Sequence, residues 1–495
     1  MKKTKIVCTI SDIRCDVPFI RDLYERGLNV VRMNTAHATD EGIHQLIENV
    51  RTVSTSIPIL IDTKGPEIRT TVLTTPEGTH LTFEPGDRVR FVGDPDRATT
   101  KEVIAMNYRG FCDDVPVGAT VLIDDGELAF RVDGEAEETE GGQPVRYLLA
   151  TAQNHGELAQ RKSVNVPGIP IKLPSLTPKD RHNIDLAIRE GIDFIAHSFV
   201  RSKQDILDIQ DILDAHRSPI KIIAKIENQE GVDNIDEILD VAYGVMVARG
   251  DLGIEVPQEK IPGIQRMLIS KCMQRNKPVI VATQMLHTMI KNPRPTRAEI
   301  SDIANAVFAQ TDAVMLSGET AYGAYPREAV ETMAKVCEEA ERQYESEEYK
   351  MPKHFGRVSP NVTSYLCKHA AIAQESLGVK ALVTDNRTGN TSRTLCSYRA
   401  KAPVYALCYN PRVARLLALS YGAVPLYIRT EHDANVRNFL FKGLSALIAD
   451  GAIRQDDLIA YVGGSTDKGA AFLEINSAEN ILATKDGYVI EEAEE

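Results

Sequence analysis

Two carboxylates and a lysine punctuate one short stretch, Lys221 to Gly253, KIIAKIENQEGVDNIDEILDVAYGVMVARGDLG. Lys225 and Glu227 close an apolar run from Lys221 to Ile226, and Arg249 and Asp251 close a second from Gly244 to Ala248. A lysine beside two carboxylates suits a divalent cation and a phosphorylated anion, because hard oxygen ligands hold Mg2+ while the ammonium faces phosphate. The same residues could instead form surface salt bridges that cap strand ends. The chemistry requires that the two charged ends meet. Between the runs Val232, Ile235, Ile238 and Leu239 recur at helical spacing. The segment therefore predicts strand, helix, strand, with both charged ends on one rim of a parallel sheet.

The rest of the chain supplies more of such a sheet. Strand-like runs occur at Lys5 to Ile10, Asn29 to Met33, Ile57 to Ile61, Phe194 to Phe199, Ile222 to Ile226, Gly244 to Ala248, Val279 to Thr283 and Ala313 to Leu316, mostly separated by helical patterns. Eight strands alternating with helices predict a closed parallel (β/α)8 TIM barrel, whose chemistry lies at the carboxyl ends of its strands. Polar residues stand there: Arg32, Asn34 and His37 after the second run, Asp62, Thr63 and Lys64 after the third, Thr283 and Gln284 at the seventh, and Ser317, Glu319 and Thr320 after the eighth. Helix capping explains some of these, since Ser, Thr, Asp and Asn are preferred caps. It does not explain Arg32, Lys225 and Arg249.

Roughly 130 residues separate the third run from the fourth, far more than one crossover needs. HLTFEPGDRVRFV, ATVLIDDGELAFRV and PVRYLLATA alternate with period two between Gly, Pro and Asp turns, which predicts a small inserted β-barrel. Leaving and re-entering at the rim, it can act as a lid that excludes water. After the charged ERQYESEEYKMPKHFG the order becomes helix, ALVTD, helix, VYALCY, helix, AVPLYI, helix, DLIAYVGG, an open α/β domain. The expected division is 1–65 and 171–345 for the barrel, 66–170 for the insert and 346–495 for the last domain. That domain has neither a GxxxxGK[ST] loop nor GxGxxG, but TDNRTGNTSR at 384–393 and GGSTDKG at 463–469 could bind phosphate through amides and hydroxyls, or simply cap helices.

The net charge of −13 with no basic block argues against nucleic acid and anionic membrane as partners. No run approaches the ~18 to 20 apolar residues of a membrane span, and the amino terminus lacks a secretory pattern. Eight cysteines over 495 residues, with no CxxC pair, argue against a disulfide framework or a zinc site and point to a reducing cytoplasm.

The chain resembles the pyruvate kinase family over nearly its whole length. The resemblance is carried by TKIVCTI at 4–10, VVRMN at 30–34, DTKGPEIRT at 62–70, KIEN at 225–228, VARGDLG at 247–253, VATQML at 281–286, NPRPTRAE at 292–299 and MLSGETA at 315–321, in family order. It implies transfer of the phosphoryl group of phosphoenolpyruvate to ADP, giving ATP and, after protonation of the enolate, pyruvate. By resemblance Glu227 and Asp251 are ligands of Mg2+ (or Mn2+), and Lys225 and Arg32 stabilise the phosphoryl group. Gly250 and Asp251 amides with the Thr283 hydroxyl hold the substrate carboxylate, while Thr283 and Ser317 lie on the proton route. Arg69, His37, Lys162 and Asn165 match positions near ADP or the lid hinge. Asn34, Asp62 and Thr63 match K+ ligands; a fourth, usually serine, is here Ala36, while Glu67 matches the residue type of K+-dependent members.

Two further departures stand out: Ser11, Asp12, Ile13 and Arg14 replace GPAS, and His287 replaces a glutamate. The resemblance further implies a homotetramer switched by a phosphorylated effector near Thr384, Asn386 and Thr391. Competing readings are a phosphoenolpyruvate or pyruvate lyase or mutase on the same barrel, and a non-catalytic sensor.

Overall fold

Eight short strands form the closed barrel in a computed structural model, which describes residues 2–35, 38–74, 79–345, 361–429, 436–464 and 470–483. They are β1 (Lys5–Thr9), β2 (Val30–Asn34), β3 (Ile59–Asp62), β4 (Phe194–His197), β5 (Lys221–Ile226), β6 (Gly244–Ala248), β7 (Val279–Ala282) and β8 (Ala313–Leu316). Each pairs in parallel with its sequence neighbours, and β8 closes on β1. The strands read as unbroken apolar runs because both faces are covered. Val7, Val30, Leu60, Phe194, Ile223, Met246 and Ile280 fill the barrel's interior, while alternate residues such as Ile6, Ile59 and Val245 pack under the surrounding helices.

The strand ends differ from the sequence expectation in an informative place. β4 stops at His197, not Phe199, because Phe199 adopts φ +55° and turns the chain before the next helix. The single helix expected between β5 and β6 is two, Gln229–Asp233 and Ile235–Val241, broken at Asn234. The Asn234 side chain donates to the Arg201 carbonyl there.

The insert leaves after β3 and returns before the helix Pro178–Glu190, whose Thr177 and Asp180 form a reciprocal cap. Its strands form a seven-stranded sheet plus a two-stranded ribbon. A bridge between Thr70 and Met106, with the Asn107 amide donating to the Arg69 carbonyl and the Thr71 amide to that of Ala105, joins the first strand of that sheet to its last and closes the expected small β-barrel. Its core is a run of edge-to-face phenylalanines, with Phe83, Phe91 and Phe111 contacting one another or Phe130 at 5.4 to 6.0 Å.

The C-terminal sheet has the four expected parallel strands and a fifth, Phe472–Ser477, antiparallel at the edge beside Leu458–Gly463. This domain stoppers the barrel floor. Leu416 and Leu419 join the barrel's interior cluster. Two buried aspartates at strand starts receive arginines: Asp193 before β4 takes Arg415 at 2.7 Å, and Asp312 before β8 takes Arg399 at 3.0 and 2.9 Å. Asp312 also accepts the Val279 and Tyr421 amides. Replacing Asp312 with Asn leaves the Arg399 cation buried without its countercharge. A loss of roughly 3–5 kcal/mol is expected, read from the denaturant midpoint, with Asp312→Glu losing less.

All eight cysteines are buried and free. Cys8, Cys15, Cys272 and Cys337 lie in the barrel layer, Cys112 in the insert, and Cys367, Cys396 and Cys408 in the C-terminal domain. No helix among the described residues is long and apolar enough to cross a membrane.

Candidate active site

The barrel brings Lys225, Glu227, Asp62 and Arg32 to one rim. Lys225, last but one in β5, holds its ammonium 2.7 Å from Ser198 Oγ, 3.0 Å from Glu227 Oε1 and 3.4 Å from Asp62 Oδ2. Burial alone would strip its proton. The flanking Glu227 and Asp62 outweigh that and push its pKa above the ordinary lysine value. Arg32 forks onto Asp62, with Nε 3.0 Å from Oδ1, and donates to Thr9 Oγ1 at 2.9 Å. Burial works to raise the Asp62 carboxyl, but Arg32 and Lys225 together hold it below the usual carboxylate range. Asp62 is therefore a counterion between two cations.

Glu227 is almost fully buried and accepts the Phe199 amide at 2.7 Å through Oε2. The turn at Phe199 aims that amide. Asp251 opens the short helix Arg249–Glu255 after β6. Burial pushes its pKa up to about 7, and the neighbouring Glu227 adds to the shift against the pull of Lys225. Two adjoining carboxylates of this kind are a fitting pair for a divalent cation. Among the described residues no three or more His, Cys, Asp or Glu side chains gather as a metal cage. Mg2+ commonly takes one or two carboxylates and fills its remaining positions with substrate oxygens and water.

Thr283 follows β7 at φ +69° and Gln284 at φ +55°. The Thr283 hydroxyl donates to the Ala282 carbonyl at 2.6 Å and accepts the Gly250 amide at 2.8 Å. Ser317 follows β8; its hydroxyl is buried and has no hydrogen-bond partner, while its amide is held by Glu319 at 2.7 Å. Glu319 also accepts the Leu286 amide beside His287. The 11–14 loop is stitched to the same corner, Ser11 Oγ donating to the Ala321 carbonyl and Arg14 to that of Gly323, both at 2.8 Å.

A cleft of about 730 Å3 between rim and insert is lined by Glu67, Arg69, Asp125, Lys162, Asn165 and Asp251, among others. Arg69 pairs with Glu67 at 2.9 Å, Lys162 with Asp124 at 2.7 Å, and Asn165 donates to Glu255 at 2.9 Å. Asn34 and Asp62 face each other in register at the ends of β2 and β3, and the Thr63 carbonyl accepts from Ser198 Oγ. His37 and Ala36 lie outside the described residues, as does 465–469 of the second candidate phosphate loop.

In the C-terminal domain Thr384, Asn386 and Thr391 are all buried. Asn386 is spent on its own loop, accepting the Ser392 amide at 3.3 Å and donating to the Thr384 carbonyl at 3.2 Å. Gly389 at φ +82° then starts the helix Asn390–Ser397. The Ser392 hydroxyl is fully buried and without a partner.

Sequence reasoning missed Ser198, which holds the Lys225 ammonium, because the run Phe194 to Phe199 absorbed it as strand. It also missed Asp302, whose two oxygens both accept from Arg249, since a lone aspartate on a helix carries no signal.

A model of the pyruvate kinase barrel domain matches residues 1–330, and one of the pyruvate kinase alpha/beta domain matches 365–475. The chain is 42% identical over 486 residues to a pyruvate kinase of Borreliella burgdorferi, covering 97% of this chain and 98% of that one. It is 42% identical over 469 residues to a pyruvate kinase of Geobacillus stearothermophilus, covering 94% and 78%. Among solved structures, a pyruvate kinase from Cryptosporidium parvum superposes with a TM-score of 0.86 at 34% identity over 96% of each chain.

Proposed function

The chain belongs to the pyruvate kinase family, and from that premise we propose how its residues divide the reaction. The enzyme is a phosphotransferase of glycolysis that moves the phosphoryl group of phosphoenolpyruvate to ADP, giving pyruvate and ATP. The lyase or mutase alternative is not favoured, since the similar chains are pyruvate kinases.

Lys225 and Arg32 cradle the phosphoryl group in flight. The observation that carries this reading is the Lys225 ammonium, buried and charged, fixed by partners at the carboxyl ends of β3, β4 and β5. A loose phosphoryl transition state needs charge already in place, and a cation held from three sides has little left to reorganise. Glu227 and Asp251 would hold Mg2+ (or Mn2+), which would supply Lewis-acid charge neutralisation to the substrate. Gly250 and Asp251 amides and the Thr283 hydroxyl take the substrate carboxylate. Its arrival displaces the Gly250 to Thr283 hydrogen bond, exchanging one acceptor for another of higher charge. Ser317, whose buried hydroxyl is without a hydrogen-bond partner, with Thr283, leads a proton to the enolate carbon once the phosphoryl group has left. Arg69, Lys162 and Asn165, with His37, hold ADP beneath the insert, which closes as a lid.

By resemblance Asn34, Asp62 and Thr63 would hold K+, although Asp62 already serves Arg32 and Lys225. Glu67 belongs to this arrangement, and Glu67→Lys is expected to lower K+ activation at least fivefold in a coupled assay. An unaltered K+ requirement would count against the assignment. A phosphorylated effector binds the 384–393 loop through its amides and the Ser392 hydroxyl, close to Thr384, Asn386 and Thr391. The protein works as a cytoplasmic homotetramer; eight buried free thiols favour a reducing compartment. The test of the whole reading is ATP formation from phosphoenolpyruvate and ADP with Mg2+, with and without K+. No ATP with every ion supplied sinks it.

A further inference from the structure

Arg249 has no part in the division of labour above, although it is the most elaborately bound arginine on the rim. Its Nη1 lies 2.7 Å from both oxygens of Asp302 on the helix Arg297–Phe308, and 3.5 Å from Gln265 Oε1. Its other two nitrogens grip consecutive carbonyls at the end of β7, Nε to Ala282 at 3.2 Å and Nη2 to Thr283 at 2.6 Å. Those carbonyls flank the place where Thr283 and then Gln284 enter the left-handed region. For a β-branched residue such as Thr283 that conformation is an outlier that persists only when its surroundings impose it. No glycine relieves the turn. The residue after Arg249 is Gly250, whose amide meets the Thr283 hydroxyl at 2.8 Å. One guanidinium thus fixes both sides of a hydrogen-bonded pair drawn from two neighbouring strands.

We propose that Arg249, anchored by Asp302, is a positioning residue that holds the β7 turn and thereby sets the spacing between the Thr283 hydroxyl and the Gly250 amide. The inference rests on the reading that this pair receives the substrate carboxylate. A lysine cannot replace the arginine, because an ammonium is a point donor and cannot span two successive carbonyls and a carboxylate as a planar fork does. The carboxylate is bound both before and during phosphoryl transfer, so loosening its receptor weakens binding more than turnover.

The experiment compares steady-state kinetics of Arg249→Lys, Asp302→Asn, the double variant and Thr283→Ala, varying each substrate in turn. Arg249→Lys is expected to raise KM for phosphoenolpyruvate tenfold or more while KM for ADP stays within twofold. Asp302→Asn, the milder change at a partly exposed site, shifts the same constant at least threefold. The double variant is no worse than Arg249→Lys alone, since the two residues act as one unit. An unchanged phosphoenolpyruvate KM in Arg249→Lys and Asp302→Asn overturns the proposal, and so does a rise shared equally by both substrates, the mark of a merely structural role. Thr283→Ala separates the two layers. If it too leaves the phosphoenolpyruvate KM unchanged, the carboxylate reading fails; if it raises that KM while the arginine variants do not, only the clamp fails.

Discussion

Replacing Lys225 with methionine is expected to lower kcat for ATP formation by about three to four orders of magnitude, or roughly 4 to 5.5 kcal/mol of transition-state stabilisation. The size follows from where the ammonium sits. It is 9% exposed and held by Ser198, Glu227 and Asp62, so no water or mobile side chain can take over its charge. Methionine keeps the length and removes only the cation. Arginine is no substitute, because its fork would have to displace Ser198. The same change should leave enolisation of pyruvate less affected, since in the proposed division of labour that half of the chemistry draws on Thr283 and Ser317. Exchange of pyruvate methyl protons with deuterated solvent separates the two. An equal fall in both, or a kcat within tenfold of the parent, would remove Lys225 from phosphoryl transfer. Because Asp62 retains Arg32, the fold should survive the loss of one cation.

The second large effect is on the divalent ion. Asp251→Asn or Glu227→Gln is expected to weaken Mn2+ or Mg2+ binding at least a hundredfold, measured by calorimetric titration of the substrate-free enzyme. In the parent the affinity should also depend on pH in a defined sense. Asp251 titrates near 7 without a cation, because burial and the adjoining Glu227 both resist its charge. The ligand is the carboxylate, so affinity should climb about tenfold per pH unit below about 7 and level off above it. Stability of the metal-free protein runs the other way. A carboxyl raised from its unfolded value favours the fold where it is protonated, a contribution fully present below about pH 4 and lost as pH rises through about 7. Adding Mg2+ at about pH 8 should therefore raise the melting temperature more than adding it at about pH 5. In Asp251→Asn both trends should flatten.

Much of this architecture was legible because barrel strands are short apolar runs closed by polar residues, and periodicity reports both. All eight runs became staves, and the charged ends of β5 and β6 do share a rim. What periodicity cannot report is a positive φ at a bulky residue. Phe199 reads as one more strand position, yet its turn is what frees Ser198 for Lys225 and aims its own amide at Glu227. The fifth strand of the last sheet was missed because FLEINS has charge and an amide where an edge strand faces water, so its pattern is weak. The insert's sheet alternates clearly, and its first and last strands meet at Thr70 and Met106, as a small barrel requires. Asp62 was matched to one ion by resemblance; only coordinates reveal that its two oxygens are already shared between Arg32 and Lys225.

The distribution of sulfur offers a built-in stopwatch for the molecule's breathing. Each of the three cores seals at least one thiol, so a labelling reagent in solution can react only when that core opens. Mass mapping of Cys112 against Cys272 and Cys367 would rank how often insert, barrel and C-terminal domain come apart, without adding a probe or changing a residue.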